Sequence, residues 1–240
     1  MNAPMPAVTS SVDPFLLMGT SHLAALAVGL VVAVLMIGLA RRGPAGVARG
    51  LELTLALMLI SMWPLHQWYY QATGTSHVDN LYPLHLCDLA AVLGAVALMT
   101  HHRGVGEFLY FWGLAGTLQG VITPALTQDF PSPRYFMFFI IHLGVVIAAL
   151  YVVLGLRQVP RASAKWRAWL GINLYALVVG GFNALAGSNY GFLCRKPPTA
   201  SLFDALGPWP WYVGAASLLS LLIFLLLDLP FVRVRSRRGR

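Results

Sequence analysis

YPLHLCDLAAVLGAVALMTHH, residues 82–102, opens with a histidine, a cysteine and an aspartate close together and then runs apolar to its closing histidines. Ionisable side chains are costly in hydrocarbon; where they occur they face a bundle interior or a wet cavity and pair with one another. The stretch therefore reads as a membrane-crossing helix whose first turns carry chemistry.

The rest of the chain agrees with that environment. Of 240 residues, 58% are hydrophobic and 10% charged, against about 25% charged in soluble domains, and the mean hydropathy is +0.71. The expected fold class is all-α, a polytopic membrane bundle. A span needs roughly 17–25 mostly apolar residues, and seven windows qualify: 15–40, 51–72, 83–101, 107–125, 135–156, 166–186 and 211–232. Turn-forming sequences separate them, among them RRGPAG at 41–46 and QDFPSP at 128–133. The domain reading is a polar tail over 1–14, one seven-helix membrane domain over 15–232, and a basic tail over 233–240. The first 14 residues lack Lys and Arg, so the first apolar run is expected to be a retained span rather than a cleaved signal.

Charge sets the expected orientation. With seven spans, Arg134, Arg195 and Lys196 fall on one side, and the other thirteen of the 16 Lys and Arg fall opposite. The positive-inside rule then puts the N-terminus outside and the C-terminal tail in the cytoplasm of a multi-pass cell-membrane protein. The net charge of +8 is loop charge; no basic stripe interleaved with aromatics points to nucleic acid. The RVRSRRGR tail is expected to touch anionic lipid.

Depth arguments gather the polar residues. A helix rises about 1.5 Å per residue, so His85, Cys87 and Asp88 on span three, and His142 on span five, lie in the outer half. His66 and Gln67 late on span two, Gln119 and Thr123 late on span four, Asn183 on span six and His22 on span one reach the same slab. The inner half is expected to be poorer, with Asn173, Ser220, and an Asp228 able to meet the tail arginines. The expectation is an outward-facing polar pocket.

Within it, His85 and Asp88 are three apart and share a helix face, making them expected partners. Cys87 points about 200° away from His85, so a nucleophilic Cys87 would need its base from another helix, and His142 is the choice by depth. Gln119 and Asn183 are candidate oxyanion donors. Arg195 and Lys196, in the loop before the last span, are candidate ligands for a phosphate or carboxylate headgroup. Cys87 and Cys194 lie on one side, which leaves a disulfide open as an alternative to a free thiol.

PLHLCDLA (83–90), GTLQGVITPAL (116–126), FFIIHLGVV (138–146), and NYGFLCRKPP (189–198) with LFDALGPWPWY (202–212) together resemble the bacterial YwaF-type integral membrane proteins, which are grouped with the eukaryotic transmembrane protein 164 family. Eukaryotic relatives are described as acyltransferases acting on ether phospholipids through a cysteine and a histidine. By motif, the resemblance implies His142 and a cysteine near PLHLC. In the eukaryotic motif the cysteine directly precedes the histidine; that position is Leu84 here, so Cys87 would serve from a different helical face.

Three functions remain open from the sequence. The first is a lipid-modifying enzyme, transferring or hydrolysing a phospholipid acyl group through Cys87 and His142 without a cofactor. The second is a zinc-dependent hydrolase using His66, His85, His142 and Asp88. The third is a transporter or sensor with a polar intramembrane site. A purely structural role is the bland alternative.

Overall fold

A computed structural model describes residues 13–198 and 201–238, so the expected tail over 1–14 lies almost wholly outside the described residues. Among these the chain is helical, with one isolated bridge between Pro14 and Gln128 and no strand. Helix α1 (Thr20–Arg42) and α2 (Ala45–Ala72) are joined by Gly43 and Pro44. Helix α3 (Leu86–Thr100) begins at His85 and ends at His101, which adopts a left-handed conformation. Helix α4 (Arg103–Trp112) runs through a π-turn (Gly113–Thr117) into the short α5 (Leu118–Ile122). Helix α6 (Pro133–Leu150) ends in a second π-turn (Tyr151–Gly155), followed by α7 (Ala164–Ala186) and α8 (Trp211–Arg238).

Local chemistry explains several of these boundaries. The Ser132 hydroxyl accepts the Arg134 N–H at 3.2 Å, and Pro133 follows at the first helical position, where its missing N–H costs nothing. At α3 the Asp88 carboxylate accepts the His85 backbone N–H at 3.2 Å, the acidic half of a capping box. Helix α8 runs on into the expected basic tail as far as Arg238, the last described residue.

Five helices are long and apolar enough to cross a membrane: α1, α2, α6 with its π-turn, α7 and α8. The windows at 83–101 and 107–125 do not form single long helices. The first is a helix of 15 residues, because Pro83 and Leu84 precede the His85 cap. The second is interrupted where the Leu118 N–H bonds to the Gly113 carbonyl, five residues back.

Helices α3, α4 and α6 pack centrally, with α2 against α3 and α6, and α7 between α4 and α8. Ala90, Ala91, Ala95 and Ala97 let α3 approach its neighbours closely. The outer faces are also apolar: Leu170, Leu177 and Leu185 stand exposed on α7, and Leu218, Leu222 and Leu226 on α8. So extensive an apolar exterior suits lipid, not water.

The end of the bundle formed by the start of α2, the end of α3 and the end of α8 is richer in polar groups than the sequence suggests. Glu52 is buried; its carboxylate takes Arg49 and His101 at 2.8 Å each and the Tyr151 hydroxyl at 2.6 Å. Glu107 is buried beneath a bidentate Arg161, with Arg167 at 2.6 Å. Asp228 holds Lys165 at 2.7 Å and a bidentate Arg235. The Asp228–arginine contact matches expectation. The expected poverty of this half does not hold, because its arginines fold back onto embedded carboxylates rather than standing free in loops.

Candidate functional site

At the opposite end, a cavity of about 280 Å³ is enclosed by the start of α3, the π-turn and α5, the first half of α6, α8, and the loop between α7 and α8. Cys87, His85, Gln119, Thr123 and His142 all line it. Its wall contains no Lys, Arg, Asp or Glu among the described residues. The chamber is therefore apolar with a few neutral polar groups.

His142 has a defined tautomer. Its Nδ1 lies 2.8 Å from the Phe138 carbonyl oxygen; a carbonyl can only accept, so Nδ1 carries the proton and Nε2 presents a lone pair. The ring stacks on Phe138 with centroids 4.0 Å apart. Gly120 lies against the opposite edge of the ring, where a Cβ would sit 3.1 Å from Nε2. Cys87 occupies the first turn of α3, next to the Asp88 carboxylate that caps it. Both cysteines are free thiols, so no Cys87–Cys194 bridge is present.

His85 is engaged differently from expectation. Its Nε2 donates to the Asp79 carbonyl at 3.0 Å, and its Nδ1 accepts the Gly191 N–H at 3.3 Å. With both nitrogens held by backbone, the imidazole ties the turn Val78–Asn80 to the turn Tyr190–Phe192. The expected pairing of the His85 ring with Asp88 is replaced by the backbone cap described above, since the carboxylate at the third helical position reaches the main chain first. Asp88 is not among the residues lining the cavity.

Asn183, expected to face a ligand, is buried and bonded to the strap, and is not among the residues lining the cavity. Its amide donates to the Tyr190 carbonyl at 2.9 Å and accepts from the Ser188 hydroxyl and the Tyr190 N–H. Asn189 similarly accepts the N–H groups of Cys194 and Arg195. Tyr190 donates to the Val78 carbonyl at 2.6 Å and accepts the Tyr82 N–H; burial raises its phenol pKa. Gly191 has a φ of +66°, and a Cβ there would run into the Tyr175 hydroxyl, which donates to the Leu84 carbonyl. The NYGF segment is thus a strap that closes the chamber over the start of α3.

The remaining expected residues lie elsewhere. His66 donates Nδ1–H to the Met62 carbonyl at 2.7 Å and is not among the lining residues. His22 accepts the Met18 N–H and donates to the Val121 carbonyl, latching α1 to the end of α5. Arg195 reaches Asp79 at 3.8 Å, and Lys196 reaches Asp204 at 4.0 Å, immediately before the lining residue Pro197. Among the described residues, no three His, Cys, Asp or Glu side chains are arranged to hold a metal ion, so the zinc reading finds no ligand set. Thr117, which the sequence reasoning passed over, also lines the cavity; the glycines flanking it in GTLQG were the available signal.

One relative is an uncharacterized protein of Treponema pallidum (strain Nichols), 27% identical over 150 residues, covering 61% of this chain and 62% of the relative. The chain thus spans less than two thirds of that relative's length. No solved structure matches. A family model described as the TMEM164 family matches residues 17–228, and the chain belongs to that family.

Proposed function

We propose that the protein is a multi-pass cell-membrane enzyme that transfers or hydrolyses an acyl group of a phospholipid, with Cys87 as nucleophile and His142 as base. The observation that carries this reading is the shared wall: Cys87 and a neutral His142 with a free Nε2 border one uncharged chamber. Such a chamber accommodates an acyl ester, while the charged headgroup stays outside, near Arg195 and Lys196.

The chemistry balances without a cofactor. The Cys87 thiol proton passes to His142 Nε2 as sulfur bonds to the ester carbonyl carbon. The ester C–O bond then breaks, and the departing lysolipid oxygen takes the proton from Nε2. A water or a second lipid hydroxyl next attacks the thioester, giving up its proton to Nε2, and the thiolate leaves and is reprotonated.

The same proposal includes seven crossings with the N-terminus outside. Although broken by the π-turn, α4, that turn and α5 follow one another from Arg103 through Ile122, about 30 Å at the rise of an α-helix, enough for the hydrocarbon core. The 15 residues of α3, extended by the strap-covered residues before it, would complete the seventh. The basic end would then meet anionic lipid at the cytoplasmic face.

The test is mass spectrometry of purified protein after incubation with phospholipid. A thioester adduct on Cys87 is expected, and it is lost in Cys87→Ser. Unchanged lipid turnover in Cys87→Ala refutes the reading.

A further inference from the structure

Four threonines within helices or at their C-caps return their hydroxyls to the carbonyl four residues back: Thr54 to Gly50, Thr73 to Tyr69, Thr100 to Val96 and Thr123 to Gln119. Thr117 does not. The residue is among those lining the cavity and is 3% exposed, and its Oγ1 is buried with no hydrogen-bond partner. Thr117 is the last residue of the π-turn, in which the Leu118 N–H reaches back five residues to the Gly113 carbonyl. A buried polar group left without a partner in a native structure calls for an explanation, and π-turns inside helices are frequent at functional sites.

We infer that the Thr117 hydroxyl is a catalytic hydrogen-bond donor to the acyl carbonyl oxygen, and to the oxyanion that forms when Cys87 adds to it. This deepens the acyl-transfer reading and rests on it. Asn183, the donor suggested by sequence depth, is bonded to the strap and is not among the residues lining the cavity. Thr117 takes its place beside Gln119, which lines the same wall and whose side-chain amide makes no hydrogen bond among the described residues. Two neutral donors with no cation between them recognise a carbonyl rather than a phosphate, so the ester is the part of the lipid that this wall selects.

The test uses the full-length protein in detergent micelles with p-nitrophenyl octanoate as probe, comparing wild type, Thr117→Val, Thr117→Ser and Cys87→Ala. Thr117→Val keeps the shape and removes the donor. Its kcat is expected to fall by about 10²–10³, the usual effect of losing one oxyanion donor, with little change in KM. Thr117→Ser restores kcat to within a few-fold of wild type. The melting temperature of Thr117→Val is expected to equal or exceed that of wild type, since an unpartnered buried hydroxyl has been removed. A Thr117→Val enzyme within threefold of wild-type kcat, beside an inactive Cys87→Ala, overturns the role of Thr117 and leaves the thiol mechanism standing. A loss in Thr117→Val that comes with a lower melting temperature and is not rescued by serine marks a packing role and also overturns it. Wild-type turnover equal to that of Cys87→Ala overturns both readings together.

Discussion

Replacing Gly120 by alanine perturbs the proposed base without touching it chemically. The new methyl would lie 2.8 Å from His142 Cδ2 and 3.1 Å from Nε2, well inside ordinary contact distance, so the ring must retreat by several tenths of an ångström. It has little freedom to do so. Its far face is stacked on Phe138 at 4.0 Å, and its Nδ1–H is bonded to the Phe138 carbonyl at 2.8 Å. Two effects on stability oppose each other. Overpacking costs about 1–3 kcal/mol, and exchange of glycine for alanine in a helix returns about 1 kcal/mol. The net destabilisation is therefore about 0–2 kcal/mol, a modest fall in melting temperature. Activity responds more steeply, because a misplacement near 1 Å can cost about 10²-fold in rate. The expected outcome in Gly120→Ala is a kcat lowered about 10- to 100-fold with a nearly wild-type thermal melt, measured on the same ester probe. Full activity together with a raised melting temperature would mean that only helix propensity had changed, and it would refute the claim that His142 is held against Gly120 for catalysis.

Two further predictions test the architecture. Asp228→Ala leaves Lys165 and Arg235, both mostly buried, without their shared carboxylate. Removing one partner of a buried ion cluster costs about 3–5 kcal/mol, and a correspondingly large drop in thermal stability in detergent is the expected reading. Asn183→Ala leaves the Tyr190 N–H and carbonyl unsatisfied inside the strap, at about 1–3 kcal/mol for each group. Limited proteolysis should then cleave the loop between α7 and α8 faster than in wild type, while the ion clusters at the other end stay intact.

Several parts of the site could be read from the residues before the fold was known. The three-residue spacing of His85 and Asp88 placed them on one face, and they do interact, but through the His85 main chain. Side-chain spacing along a helix reports proximity; it does not report that the first turn leaves N–H groups in search of an acceptor. Asn183 sat at the right depth, yet depth cannot tell whether an amide will be consumed by a loop seven residues later in sequence. Glu52 and Glu107 drew no attention as single acids beside basic loops, because their enclosure depends on Tyr151, Arg161 and Arg167 arriving from distant segments.

The one-dimensional pattern alone determined the solvent and the element type. Long apolar runs with charges confined to their ends form helices in lipid, where every backbone polar group must be satisfied within its own segment. Only the tertiary structure decided which polar groups face the chamber and which are tied to backbone. That choice depends on a π-turn that shifts one carbonyl, a glycine that admits an imidazole edge, and a strap whose hydrogen bonds close between residues about a hundred positions apart. Helical periodicity carries the first kind of information because it is local; long-range partners are invisible until the chain has packed.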